Sequence, residues 1–197
     1  MQAGQKFRDA LNKNKPLVIP GTINAYSAKL AEKSGHSAIY LSGSGVAAAS
    51  YGLPDLGVTS MNDVLIDVKR ISSATSLPLL VDIDTGWGES DQIAETIIEM
   101  GNAGCAAVHI EDQVTQKRCG HRTNKSLVDK IEMTDRIKAA VDSRTDESFF
   151  IMARTDSYAS EGMQGAIDRC NEYISAGADG LFLEAVSSFE GYKQLKD

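Results

Sequence analysis

Long apolar runs are missing from this chain. No stretch approaches the roughly 18 residues that a membrane-crossing helix needs, and Met1-Gln2-Ala3-Gly4-Gln5-Lys6 has no apolar signal region behind it. Cysteine is scarce: Cys105, Cys119 and Cys170 are odd in number and lack metal-type spacing, which argues against a disulfide framework and for a reduced, cytoplasmic setting. Positive charge is outweighed, with 20 Lys and Arg against 27 Asp and Glu. Without a basic patch to cover a phosphate backbone, nucleic acid is excluded as the main partner, and the absence of a span excludes a membrane. Prolines number only 4, and no linker or low-complexity segment interrupts the chain, so residues 1–197 read as a single domain. What remains is 42% hydrophobic and 24% charged, enough for one substantial core.

Strand-like and helical segments alternate. The pattern predicts a short helix over 6–13 and then a first strand running from Pro16 through Pro20 towards Asn24. A helix carrying Ala28, Leu30 and Ala31 and closed by Gly35 follows, and then a second strand over 37–42. Further apolar strands are expected at 78–82, 106–110, 149–153 and 180–183, with amphipathic helices at 62–71, 92–103, 133–143 and 165–176. Helix ends such as Ala103-Gly104 and Ala176-Gly177 suit a C-terminal cap before the next strand.

Strand starts recur about every 33 residues, the spacing of a parallel α/β fold. Such strands, covered on both faces, form either an open doubly wound sheet or a closed barrel. Polar residues follow strand after strand: Ser42, Asp82 with Asp84, Glu111 with Asp112, Arg154 with Asp156, and Glu184. An open sheet gathers ligand groups at one switch point, whereas a barrel gathers them from every strand at one mouth. The expectation is therefore a TIM-type (β/α)8 barrel with about six of its eight strand-helix units, ending in a sixth helix over 189–197. An eight-unit barrel takes about 250 residues. A chain lacking its last two units leaves two strand edges open, so aggregation or recruitment of a partner is expected.

The chemistry centres on Lys117-Arg118-Cys119-Gly120-His121. Cationic neighbours favour a thiolate, so Cys119 is placed to give or take a proton, and Gly120 lets the backbone approach a bound molecule. The alternative for a free cysteine is a small buried apolar residue. Asp82 and Asp84, two apart on a strand, are expected on one face, where paired carboxylates suit Mg²⁺ or Mn²⁺. The alternative is a pair of solvated or helix-capping aspartates. Asp112 reads equally as a cap. Ser42-Gly43-Ser44-Gly45 reads as a loop offering N–H groups and hydroxyls to an anion, or as a plain turn. Arg154 either clamps a carboxylate or pairs with Asp156 or Glu184. His109 reads as a satisfied core histidine, His121 as the histidine placed for chemistry, and Trp87 as a shield for the site or as packing.

The segments Tyr40-Leu41-Ser42-Gly43, Val81-Asp82-Ile83-Asp84-Thr85-Gly86, His109-Ile110-Glu111-Asp112-Gln113, Lys117-Arg118-Cys119-Gly120-His121 and Met152-Ala153-Arg154-Thr155-Asp156 resemble the isocitrate lyase and phosphoenolpyruvate mutase superfamily. The resemblance runs through essentially the whole chain, and the cysteine motif resembles the lyase branch that acts on methylisocitrate. Isocitrate lyases themselves carry Lys-Lys-Cys-Gly-His and large insertions, while the mutase and decarboxylase branches lack the cysteine.

The resemblance implies Mg²⁺-dependent, retro-aldol cleavage of (2S,3R)-2-methylisocitrate, a small tricarboxylic acid, to pyruvate and succinate, in the methylcitrate route of propionate breakdown. It assigns the metal to Asp82 and Asp84, with Asp55 and Glu111 nearby, and implies Cys119 as the general acid aided by His121 and Lys117. It gives substrate contacts to Ser42, Gly43, Ser44, Cys119, Gly120, Arg154 and Glu184, and implies a homo-oligomer, commonly a tetramer. The chain departs from the pattern in having Ser44 where the family generally has Gly, and in stopping before the seventh and eighth strands. Other readings are oxaloacetate decarboxylation, which needs the metal and not the thiol, cleavage of isocitrate, and a non-catalytic remnant.

Overall fold

The computed structural model describes residues 1–194. Five parallel strands, β1 (Ile39–Leu41), β2 (Leu79–Asp82), β3 (Ala107–Glu111), β4 (Phe150–Thr155) and β5 (Gly180–Leu183), lie side by side in chain order. Around them run α1 (Ala3–Lys13), α2 (Ala25–Lys33), α3 (Gly43–Tyr51), α4 (Met61–Ser72), α5 (Ser90–Asn102), α6 (Lys130–Asp142), α7 (Tyr158–Ser175) and α8 (Phe189–Gln194). This is a partial TIM-type barrel. The first of the six expected strands contributes one parallel bridge, Gly21 to Tyr40, in place of a ladder. Pro16 and Pro20 bring no N–H to a ladder, and the contact reduces to Tyr40 N–H donating to Pro20 O and Thr22 N–H donating to Tyr40 O. The last expected helix is described as far as Gln194; positions 195–197 lie outside the described residues.

Alternation along the strands sorts the side chains into two layers. Ile39, Leu41, Val81, Val108, Ile110, Ile151 and Ala153 join the large cluster shared with the helices, among Val64, Val68, Ile97, Met133 and Ile137. The opposite faces, with Leu80, Ala107 and Phe150, form a second cluster closed from below by Phe7 of α1, whose ring meets that of Phe150 edge-on at 5.4 Å. α1 is fixed there by Arg8, which donates to Ser148 O at 2.8 Å and to Asp179 at 2.8 Å.

Helix ends follow the sequence. Asn24 and Ser60 form capping boxes with Ser27 and Asp63, and Gly104 and Gly177 take left-handed φ values of 90° and 104° just past α5 and α7. The Ser42–Gly45 segment is a correction to the loop expectation. Ser42 is the N-cap of α3, its hydroxyl accepting from Gly45 N–H, so the Gly-Ser-Gly stretch is a helical first turn. Glycine favours a turn on propensity, and burial of Val46 and Ala47 overrides it. α7 starts earlier than expected, at Tyr158, because two helices run together across a kink at Gly162, φ 71° and ψ −173°.

Candidate active site

Parallel register sets polar side chains abreast at the carboxyl ends of the strands. Asp82 lies opposite His109, Glu111 opposite Arg154, and Arg154 opposite Phe182. Asp82, His109, Glu111 and Arg154 point inward, above the apolar plug, because each sits two or four residues beyond Leu80, Ala107 or Phe150 of its own strand. A cavity of about 240 Å³ opens there. It is lined by Ser42, Ser44, Asp55, Asp82, Lys117, Cys119, Gly120, His121, Arg154 and Glu184, and by Tyr40 and Phe182, which the sequence did not single out as contacts. Gly43, Asp84 and Glu111 stand behind this lining.

Asp82 and Asp84 converge by another route than strand alternation. β2 ends at Asp82, and Asp84 lies beyond it in a turn with a left-handed φ of 48°, its N–H donating to Asp82 Oδ1 at 3.1 Å. Gly43 N–H donates to Asp82 Oδ2 at 3.1 Å, and a Cβ on Gly43 would lie 3.2 Å from both Asp82 Oδ2 and Asp84 Oδ1. A side chain there would press on both carboxylates, and the Gly43 N–H orients a carboxylate of the protein. Lys117, buried, pairs with Asp84 Oδ1 and lies 2.7 Å from Asp55 Oδ1. Its ammonium faces the carboxylates, and it shares the cavity lining with Cys119.

The electrostatics follow from burial. Burial opposes ionisation of Asp82, but the positive charges of His109 (when protonated), Lys117 and Arg154 outweigh it and hold the carboxyl below its ordinary range. Burial and the neighbouring Asp82 charge push Asp84 up to about 7, and burial raises Glu111 well above the carboxylate range. Burial also works against the Lys117 ammonium, yet Asp84, Glu111 and Asp82 raise it above the usual lysine range. Glu111 is fully buried with no hydrogen bond to either oxygen, and Arg154 Nε stands 3.2 Å from Oε2.

Among the described residues no three His, Cys, Asp or Glu side chains converge as a cage for a metal ion. A pair of carboxylates completed by water and substrate oxygens is the arrangement Mg²⁺ uses, and Asp82 with Asp84 fits it. The Glu111 carboxylate, which accepts no hydrogen bond, and the raised Asp84 fit added positive charge.

Arg154 makes the intramolecular pairs that one of its two readings expects, and its side chain also reaches the cavity. It donates from Nε and Nη2 to Asp156 at 3.0 and 3.2 Å, approaches Glu184 at 3.5 Å, and lies over the Phe182 ring at 5.2 Å while still lining the cavity. Gly120 packs against this group: a Cβ there would come within 2.6 Å of Glu184 Cδ and would collide with Arg154 Nη2. Cys119 is half-buried, whereas Cys105 and Cys170 are buried. His121 is 85% exposed at the rim, with Nδ1 3.7 Å from Glu184. His109 is buried, its Nε2 3.0 Å from Tyr40 Oη, and burial lowers it to about 4. Trp87 packs against the core and donates to Thr59 O at 2.8 Å.

Two anchors of the cysteine loop were not legible as such. Gln113, fully buried, donates to Arg118 O at 3.0 Å and accepts from Arg118 N–H at 2.9 Å. Lys125 donates to Gly120 O at 2.7 Å and to Asp156 Oδ1 at 2.9 Å. Asp112 caps no helix. It accepts from Asp156 N–H at 2.9 Å, Thr155 Oγ1 at 2.6 Å and Tyr173 Oη at 2.8 Å, joining β3 to β4 and α7.

The fold and the site define a chain of the TIM-type barrel class with its polar groups gathered at the carboxyl ends of the strands. It belongs to the phosphoenolpyruvate phosphomutase family, whose model matches residues 7–195. The 2-methylisocitrate lyase of Shewanella oneidensis is 63% identical over 194 residues, which cover 98% of this chain and 66% of that protein. The crystal structure of 2,3-dimethylmalate lyase, a PEP mutase/isocitrate lyase superfamily member, matches with a TM-score of 0.93 and 37% identity over 99% of this chain and 66% of that one. Phosphonopyruvate hydrolase in complex with oxalate and Mg²⁺ matches with a TM-score of 0.86 and 32% identity over 99% of this chain and 68% of that one. The chain thus spans just under two thirds of the length of the curated relative, at 66%.

Proposed function

We propose that this chain carries the metal-and-thiol part of a carbon–carbon lyase site that cleaves (2S,3R)-2-methylisocitrate to pyruvate and succinate. The observation that carries the reading is the meeting of Cys119, Asp82, Arg154 and Glu184 around one cavity. The 63% identity to a 2-methylisocitrate lyase supports the substrate, and the Mg²⁺ and oxalate of the phosphonopyruvate hydrolase complex support the cofactor and a small carboxylate ligand.

In this reading Asp82 and Asp84, with Asp55 and Glu111 in support, hold Mg²⁺ or Mn²⁺. When bound, the cation supplies Lewis acidity towards the substrate hydroxyl and its neighbouring carboxylate. Arg154, Ser42 and Ser44 bind and orient the carboxylates, and Gly120 leaves room for them. A base takes the hydroxyl proton, the C2–C3 bond breaks, its electron pair stays on the succinate carbon, and pyruvate forms. The Cys119 thiol gives its proton to that carbon and is left as thiolate. His121 at the rim restores the proton, and Lys117 balances charge in the carboxylate cluster.

The same reading places the protein in propionate breakdown by the methylcitrate route, in a reducing cytoplasm, as a homotetramer. Three free cysteines suit that compartment. Exposed Tyr26, Leu30, Leu56 and Val58 suit contact between copies. No described helix is long and apolar enough to cross a membrane.

The test is product analysis with Mg²⁺ and (2S,3R)-2-methylisocitrate, isocitrate or oxaloacetate as sole substrate. The reading expects pyruvate and succinate in equal amounts from the first. Decarboxylation of oxaloacetate with no cleavage of methylisocitrate would overturn it.

A further inference from the structure

One buried cation stands apart from the cavity and from the network around Asp112. Arg136 belongs to α6, and its side chain is 8% exposed. Its guanidinium reaches the carboxyl end of β3. Nη1 donates to Glu111 O at 3.2 Å and to Gln113 O at 2.9 Å, and Nη2 donates to Glu132 Oε1 at 2.6 Å on its own helix. The sheet explains why these two carbonyls need it. Glu111 faces β2, its N–H donating to Asp84 O at 2.9 Å, but the β2–β3 register ends at Asp82 opposite His109. Past Asp84 the chain turns away, Gly86 N–H donating to Ile83 O, so among the described residues β2 offers Glu111 O no donor. Gln113 pairs with Leu127 in an antiparallel bridge made by its neighbours' atoms, Val128 N–H to Asp112 O and Val114 N–H to Ser126 O. That pattern turns Gln113 O away from the bridge and towards Arg136.

We infer that Arg136 is a positioning residue for the proposed reaction, setting the backbone at Glu111 and Gln113 and through it two side chains of the site. The inference rests on the lyase reading of the cavity. Glu111 stands 3.2 Å from Arg154 Nε, yet neither of its oxygens accepts a hydrogen bond. An ion pair without a directed hydrogen bond leaves the place of the carboxylate to its backbone. Gln113 carries the carboxamide that holds both the N–H and the carbonyl of Arg118. Both side chains hang from carbonyls that one guanidinium fixes. The working parts of the site thereby extend to α6, none of whose described residues lines the cavity. A planar fork suits the task, because two carbonyls and a carboxylate ask for three donor directions from one buried group, and the ammonium of a lysine does not reproduce them.

The test sets Arg136→Lys against Ile137→Ala, its neighbour on α6, whose side chain is fully buried in the main core. The first keeps the charge and loses the fork, and the second keeps the fork and opens a cavity. Turnover of (2S,3R)-2-methylisocitrate with Mg²⁺, the urea midpoint and amide hydrogen exchange are measured on full chains. We expect Arg136→Lys to lose at least about tenfold in kcat with KM within about twofold. The amides of Glu111, Asp112 and Val114 should exchange at least about fivefold faster relative to those of Val108 and Ile110 on the same strand. Ile137→Ala should show the larger fall in urea midpoint, with kcat within about threefold of the wild type and that exchange ratio unchanged. Wild-type kcat in Arg136→Lys overturns the inference. So does a loss of kcat that follows the loss of urea midpoint alike in both variants, since Arg136 is then a structural partner and nothing more. If Arg136→Lys does not fold, Glu132→Ala in the first turn of α6 decides in its place. Freed from one side, the guanidinium should cost at least about threefold in kcat, and unchanged kcat overturns the inference. A wild type without turnover overturns the lyase reading, and this inference with it.

Discussion

The ammonium of Lys125 donates to the carbonyl oxygen of Gly120 at 2.7 Å, one residue past Cys119. The same ammonium donates to Asp156 at 2.9 Å, and Asp156 accepts both nitrogens of Arg154. The irregular loop bearing the thiol is thereby tied to the strand bearing the arginine through one buried lysine. Loss of a hydrogen bond to a charged group costs about 1.5–3 kcal/mol. Lys125→Met is expected to lower unfolding stability by about that much and to speed alkylation of Cys119, with Lys125→Arg recovering part of both. Denaturant unfolding and thiol-labelling rates check this.

Gly120→Ala tests the packing of that loop. The added methyl meets Glu184 and Arg154, and overpacking of this kind costs about 1–3 kcal/mol. The loop has to lift, carrying Cys119 away from Arg154. Turnover is expected to fall at least about tenfold with a smaller change in melting temperature. Unchanged turnover would show that the loop does not work from this position.

Asp112 predicts a stability effect. Asp112→Ala leaves Arg169, Tyr173 Oη and the Asp156 N–H without their buried acceptor. Removing one partner from a buried charged network costs about 3–5 kcal/mol. Urea unfolding should show a loss of that order, while a Lys138→Met control on the exposed face of α6 should stay within about 0.5 kcal/mol.

Cation affinity should depend on pH through Asp84. Burial and the Asp82 charge hold its carboxyl up at about 7, so below that value a bound cation has to expel a proton. Mn²⁺ affinity is expected to rise about tenfold per pH unit up to about 7 and then to level off. The same raised value means that the cation-free fold binds a proton the unfolded chain has released. Asp84 therefore costs stability increasingly as pH rises from about 4 to about 7. Asp84→Asn should lose most Mn²⁺ binding, lose its pH slope, and gain stability relative to the wild type over that window. Titrations and melts between pH 5 and pH 8.5 check both signs.

Much of this was legible in the chain. Apolar segments at a regular spacing gave the order of strands, and the polar residue after each one marked the mouth where Asp82, Glu111, Arg154 and Glu184 meet. The rest depended on contacts that no local pattern encodes. Ser42–Gly45 reads as a turn because glycine is a poor helix former, and only the buried Val46 and Ala47 reveal a helix. The left-handed turn at Asp84 replaces alternation with a bend. Lys117 reads as a neighbour of Cys119, whereas its long side chain reaches carboxylates brought near by folding. Gln113 and Lys125 lie in an irregular segment without periodicity, where a buried polar anchor resembles a surface residue until its partners are known.

The central claim is that Cys119 delivers the proton in a cation-dependent carbon–carbon cleavage, and Cys119→Ser tests it most directly. Pyruvate and succinate would be followed from (2S,3R)-2-methylisocitrate with Mg²⁺, alongside Mn²⁺ affinity, for the wild type and the variant. The account predicts cleavage by the wild type, a loss of at least about a hundredfold in the variant, and Mn²⁺ binding unchanged within about twofold. Cleavage at the wild-type rate by Cys119→Ser, with Mn²⁺ still bound, would contradict it.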